Sequence, residues 1–312
     1  MNANPFFRFL GFTSFVGGSK TQSLIGSLVL TVVLSLGLHD NAFGQLTRER
    51  ANPNAPVELT FMAPRHIQVM TVEPLSKGEL HYSIMHTFGE IGSGARNAWG
   101  IDYGANVRMS LEYGLGEKLS AYAGRSSMDK VFDGGFRWHV VQQTREGATK
   151  SRPVSVSLQG GFGYNGSDYG YLATDYSFED RWHGVGFVHV ARKMSEDLSL
   201  QLSGGAAGFT RVGLETQAFD TRSNVYAGAM FSGRYKVSSR LALTWEIMPR
   251  FSESVSSTVY GGGLDIEVGG HVFQLYVVSS QSLNDGYLLA GESANDFDGF
   301  RLGFNINRIF AL

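Results

Sequence analysis

No cysteine occurs among the 312 residues. Disulfides, thiolate nucleophiles and cysteine-held metals are thereby excluded. Proline is scarce, seven in the whole chain, so little interrupts long extended segments. Neither sign of charge dominates: 26 Lys and Arg face 28 Asp and Glu, for a formal net charge of −2. With no basic cluster anywhere, that balance argues against a nucleic-acid partner. Beyond one block near the N-terminus there is no long apolar run, which excludes helical membrane spans for the rest of the chain. What is abundant is glycine, 40 residues, and aromatics, with 22 Phe, 13 Tyr and 4 Trp.

The N-terminal block has scattered positive charge at Arg8 and Lys20, an apolar run over 24–38, and Ala42-Phe43-Gly44 before polar Gln45. Small residues three and one before the break are the mark of a secretory signal peptide cleaved after Gly44. A membrane helix would need roughly 20 apolar residues, and this block has about 15. The reading is therefore an exported chain with a leader over 1–44 and a mature part from Gln45.

Within the mature part the pattern has a period of two. Over residues 101–113, Ile101, Tyr103, Ala105, Val107, Met109, Leu111 and Tyr113 alternate with Asp102, Asn106, Arg108, Ser110 and Glu112. Successive side chains of a strand point to opposite faces, so one face is apolar and the other charged. A globular strand runs about five or six residues, so a longer one of this kind suits a wall with lipid outside and water inside. Similar segments occur at 79–88, 118–125, 136–143, 154–164, 182–193, 198–209, 224–235, 241–251, 258–268, 271–279 and 300–310, about twelve in all.

The connections alternate too. Short turns, such as 114–117, 194–197, 236–239 and Gly269-Gly270, and a medium one at 144–153, interleave with longer polar or Gly-rich segments at 89–100, 126–135, 165–181, 210–223, 252–257 and 280–299. Outer-membrane barrels have short periplasmic turns and long extracellular loops, so this assigns each strand a direction and leaves both ends in the periplasm. The expected fold is an all-β, antiparallel transmembrane outer-membrane β-barrel of about twelve strands over 78–312. A Greek-key sandwich has no reason to alternate in this way. The final strand puts Phe300, Leu302, Phe304, Ile306 and Phe310 on one face, the form of strand by which barrel insertion machinery recognises its clients, although it ends on Leu312. Tyr113, Tyr164, Trp182, Tyr235 and Tyr276 suit interfacial girdles. Residues 45–77 form a periplasmic N-terminal segment whose more hydrophobic part, 61–72 with Arg65 and His66, either tucks into the lumen or adds a short strand.

Several stretches, VEPLSKGELHYSIMHTFGEIGSG (72–94), RMSLEYGLGEKLSAYAGRSS (108–127), KVFDGGFRWHVVQQT (130–144) and LGFNINRIF (302–310), together resemble a family of bacterial outer-membrane β-barrels of the Bacteroidota type with a domain-of-unknown-function label. The resemblance covers the chain from about Phe61 onward. It implies the fold and the outer-membrane compartment, and it carries no catalytic residues.

Chemical motifs are missing. There is no G-x-S-x-G elbow, no H-E-x-x-H helix and no dinucleotide loop after Gly92-Ser93-Gly94. The H-x-S-N pattern of outer-membrane phospholipase A is not found either. His183 and His189 share a face but sit roughly 20 Å apart at strand rise, too far to share a metal. No catalytic residue and no cofactor are expected. Alternation instead sends Asp102, Arg108, Glu112, Arg137, His139, Arg234, Glu246, Asp265, Glu267, Arg301, Asn305 and Asn307 to the lumen. Their mixed signs fit either mutual neutralisation or a narrow pore that orients small polar solutes. The alternative is a closed structural or adhesive barrel whose extracellular loops bind a partner, and a membrane-embedded hydrolase comes after both. The loop with Asp285, Glu292, Asp296 and Asp298 lacks the glutamate a calcium loop needs, so a solvated acidic loop is the expectation and a metal site is not.

Overall fold

A computed structural model describes residues 55–145, 148–168, 177–211, 225–252 and 257–312; the leader expected over 1–44 lies outside them. Twelve strands form one closed antiparallel barrel. They are β1 (Glu79–Glu90), β2 (Asn106–Gly116), β3 (Leu119–Ser126), β4 (Phe132–Val141), β5 (Ser155–Tyr164) and β6 (Trp182–Lys193), followed by β7 (Leu198–Phe209), β8 (Val225–Lys236), β9 (Leu241–Met248), β10 (Val259–Val268), β11 (His271–Val278) and β12 (Arg301–Ala311). Each pairs with its sequence neighbour, and β1 closes on β12 from Glu79 opposite Ala311 to Glu90 opposite Arg301. Closure leaves no sheet edge, which is what allows strands to cross a hydrocarbon layer with every ladder hydrogen bond made.

The outer face carries a band of exposed apolar side chains, among them Met109, Leu111, Phe136, Trp138, Phe162, Leu202, Leu243 and Leu275. The alternate positions face inward and are buried and largely polar, including Ser83, Arg108, Ser157, Gln159, Gln201, Ser232, Gln274 and Asn305. An inside-out pattern of this kind makes sense only where lipid surrounds the barrel. The short connections gather at the end where β1 starts and β12 stops, with 142–154 the longer exception there, and the long ones at the other end, where the connection expected to be long at 126–135 shrinks to 127–131 because β4 starts early. At the long-loop end Tyr164 and Trp182 pack with ring centroids 5.0 Å apart. At the short-turn end Arg308 lies over the Phe310 ring.

Four details differ from the periodicity. β2 begins at Asn106, because the last β1 partner on that side is Thr87, opposite Asn106, and residues 101–105 turn out of the ladder. β4 begins earlier, at Phe132, where Asp133-Gly134-Gly135 hides the alternation since glycine shows no face. β9 stops at Met248, since Pro249 has no N–H to give the ladder. Tyr276 is no girdle residue; it points inward and its hydroxyl donates to Asn305 Oδ1 at 2.9 Å.

Inward glycines make room for large neighbours. A Cβ on Gly205 would overlap the Phe187 ring on the adjacent strand. Gly205→Val is expected to destabilise the barrel by about 1–3 kcal/mol, read as an earlier loss of the compact band on heated gels, while Gly204→Val on the open outer face leaves it unchanged.

Candidate functional site in the barrel lumen

The lumen is occupied by the chain's own N-terminal segment. Residues 55–77 run in from the short-turn end, where Val57 N donates to Gln143 O at 2.7 Å, and return to Gly78 beside Gly114. Between them lies a hairpin: Arg65 bridges Met70, His66 N donates to Val69 O at 2.8 Å and Thr71 N to Pro64 O at 2.9 Å. Phe61, Ile67, Val69, Met70 and Val72 are buried. Phe61 and Val72 pack on Ala191, and Ile67 on Tyr276 and Val278.

Polar wall residues hold the hairpin by its main chain. Gln201 Oε1 accepts from Val72 N at 3.0 Å while its Nε2 donates to Met70 O at 2.8 Å. Glu246 accepts from Gln68 N at 3.0 Å and from Val69 N at 3.2 Å. Arg137 donates to Thr71 O at 2.5 Å and Asn305 Nδ2 to Ile67 O at 2.8 Å. Wall ion pairs position these groups. Arg137 holds Glu112 at 2.7 Å, with Ser120 donating to the same carboxylate at 2.5 Å. Arg108 grips Asp133 through Nε at 3.2 Å and Nη2 at 2.5 Å. Gln274 Oε1 accepts from Asn305 at 2.8 Å and Asn307 at 3.0 Å, and its Nε2 donates to Asp265 at 3.1 Å.

A second element closes the other end. Residues 279–291 fold inward around the helix α1 (Asp285–Ala290), whose cap Asn284 accepts from Tyr287 N at 2.9 Å. Tyr287, Leu288 and Leu289 join Phe187, Phe209, Tyr226, Met230, Met248 and the hairpin's Val69 in an apolar cluster. The two elements meet at Arg65 and Asp285, joined by two bonds of 3.0 and 3.2 Å and both buried. Gln159 Nε2 adds a bond to Asp285 at 2.7 Å. Burial alone would raise the Asp285 carboxyl, but Arg65 holds it below the usual value. A cavity of about 10 Å³ lies beside the hairpin, lined by Pro64, Arg65, Met70, His81, Arg108, Glu112 and Tyr122 among others. That is room for a single water.

Eleven of the charged or amide side chains read for the lumen lie on inward positions of their strands: Arg108, Glu112, Arg137, His139, Arg234, Glu246, Asp265, Glu267, Arg301, Asn305 and Asn307. Arg301 sits at the long-loop rim, paired with Glu90 at 2.9 Å. Asp102 is a correction: it is exposed in the turn before β2 and lines nothing. The acidic loop also divides. Asp285 is buried against Arg65, whereas Glu292, Asp296 and Asp298 are exposed. The sequence reading passed over Gln159, Gln201 and Gln274, which are uncharged but occupy the same inward register, so the period-two rule alone could have found them.

The family model for a membrane bound beta barrel domain (DUF5777) matches residues 61–310. The chain belongs to that family. The matched region of this DUF5777 protein takes in the hairpin as well as the strands. Among solved structures it is similar to the NanC porin in a rhombohedral crystal form, at 8% identity and TM-score 0.46, covering 75% of this chain and 99% of that one. It is similar also to the COG4313 outer membrane channel from Pseudomonas putida F1, at 14% identity and TM-score 0.46, covering 77% and 98%. The KdgM porin in complex with disordered oligogalacturonate gives 8% identity and TM-score 0.44 over 75% and 99%. No curated protein sequence matches.

His66 gives the docked hairpin a dependence on pH. Its Nε2 lies 3.1 Å from Gly233 O, a carbonyl that can only accept, so Nε2 carries the proton and donates. Burial lowers the imidazole pKa from 6.5 to about 4, against the pull of that carbonyl. A released hairpin therefore takes up a proton near pH 6.5 that the docked one refuses until about pH 4. The share of docking that His66 contributes is fully present above pH 6.5, is lost as pH falls between the two values and levels off below. That share is expected to raise release by up to about tenfold per pH unit in this window, measured as the difference between the open-probability pH profiles of the native chain and His66→Gln in a bilayer between pH 7 and 4. Identical profiles would take the effect away from this residue.

Proposed function

We propose that the protein is an outer-membrane channel for small polar solutes, closed at rest by its N-terminal hairpin. One observation carries this reading. The main chain of the hairpin is held by hydrogen bonds to polar side chains of the wall, and water can replace each of them. The barrel itself does not depend on the hairpin, since its ladder closes between β1 and β12. With the hairpin out, Arg108, Glu112, Arg137, Arg234, Glu246 and Asp265 would present opposed charges to a passing solute and favour small polar or zwitterionic ones. The leader pattern expected over 1–44 supports export, and the apolar face of β12 suits recognition by barrel insertion machinery and a surround of outer-membrane lipid.

The mature chain from Gln45 to Leu312, refolded into a planar bilayer, is expected to give discrete current steps with brief openings. Silence from folded protein, with and without the hairpin, would sink the channel reading. A second reading then takes over, a closed barrel whose extracellular loops bind a partner. The dry cluster of Phe187, Phe209, Tyr226, Met230, Tyr287 and Leu288 at the loop end favours it, and loss of partner capture on loop deletion tests it.

A further inference from the structure

We infer that the lumen wall is a binding site for short peptides, which it recognises through their main-chain amides, and that the hairpin occupies this site as an internal substitute. The inference deepens the channel reading by naming a substrate class, and it rests on that reading for transport but not for binding.

The argument starts from which atoms of the hairpin the wall takes. Gln201 pairs with Val72 N and Met70 O, an N–H and a C=O two residues apart on one arm of the hairpin. A residue of a parallel neighbouring strand makes the same pair of bonds through its own N–H and C=O, so the Gln201 amide stands in for one. Glu246 takes two consecutive N–H groups, of Gln68 and Val69. Arg137 donates to the carbonyls of Thr71 and Pro64, at 2.5 and 3.4 Å. Asn305 donates to the carbonyl of Ile67. These contacts come from β4, β7, β9 and β12, different sides of the barrel, and all go to atoms that every peptide has. Such a set reads backbone and tolerates any side chain.

The wall residues are also held in place without the hairpin. Glu112 fixes Arg137 on the wall, and Gln274 fixes Asn305. Gln201 Nε2 also donates to Ser203 Oγ at 3.0 Å. Preorganised donors and acceptors of this kind keep their geometry for another occupant. A sugar offers hydroxyls that could also pair with Gln201 and Glu246, but with no fixed N–H and C=O at the spacing Gln201 takes, so a sugar of similar size is the comparison that separates the two ligand classes.

The test uses two isomers. Tetraalanine and tetrasarcosine have the same atoms, but the second carries N-methyl groups in place of main-chain N–H donors. Because the chain has no cysteine, a single Ile67→Cys, at a fully buried hairpin position, reports hairpin displacement by its rate of thiol labelling. The full mature chain is used, once with Ile67→Cys alone and once with Arg65→Met added to loosen the hairpin. Folding is checked by the heat-dependent gel shift. Tetraalanine is expected to raise labelling about tenfold more than tetrasarcosine, the effect of losing one or two hydrogen bonds, and Gln201→Leu is expected to erase most of that difference. Equal action of the isomers, equal action of a trisaccharide of similar size, or no effect of tetraalanine on either folded variant would overturn the assignment. Ion current is recorded separately. Isomer discrimination without current would sink the channel reading and leave the peptide site standing, and current without discrimination would do the reverse.

Discussion

Deleting residues 45–77 is expected to turn a mostly closed barrel into a steadily open one, with mean current through the reconstituted protein rising on the order of tenfold or more. The reason is geometric. A twelve-stranded barrel is wider than the eight-stranded kind that its own side chains fill, and here the difference is made up by a hairpin and an inward loop. Taking out the hairpin removes Phe61, Ile67, Val69, Met70 and Val72 from the interior and frees Glu246, Gln201, Arg137 and Asn305 to bind water. The strand ladder loses none of its own bonds, so the folded band on unheated gels should persist. Current unchanged by the deletion would mean that the loop around α1 alone closes the passage. Truncating that loop in the deleted chain would then be the step that opens it.

The second large effect is expected at the contact between the two closing elements. Arg65 and Asp285 are 3% and 4% exposed, so neither charge has water to fall back on. Arg65→Met leaves a buried carboxylate with Gln159 as its remaining donor, and such a loss costs on the order of 3–5 kcal/mol. Open probability should rise by more than about a hundredfold if hairpin docking bears that cost. Asp285→Asn should do less, because the amide still accepts from Arg65. In the double variant no charge is stranded, so the channel should be more closed than with Arg65→Met alone. This non-additivity is the signature of a direct pair. Strictly additive effects would place the coupling elsewhere, for example in the bond from Arg65 to Gln68 O.

Much of this architecture could be read from the chain directly, for a physical reason. In a membrane barrel, lipid and water lie on opposite sides of every strand, so the side-chain alternation is written locally wherever a strand crosses. β6 and β7 were legible to the residue, because Trp182–Lys193 and Leu198–Phe209 alternate between clear turns. The starts of β2 and β4 were not, since their limits are set by what the neighbouring strand offers and by glycines that mark no face. The inward register of Arg108, Glu112, Arg137 and Asp265 followed from the same alternation, whereas Asp102 was misassigned because the alternation ran on past the end of the ladder.

The sequence by itself determined the twelve-stranded wall, the direction of its strands and the polar lining, all consequences of period two and of turn length. Only the tertiary structure decided what fills the lumen. Residues 61–72 have no strand period that would announce their place, and their partners Gln201, Glu246, Asp285 and Asn305 lie more than a hundred residues away in sequence. A local pattern cannot encode that docking. It emerges once the closed wall brings those groups around a space that the hairpin can enter.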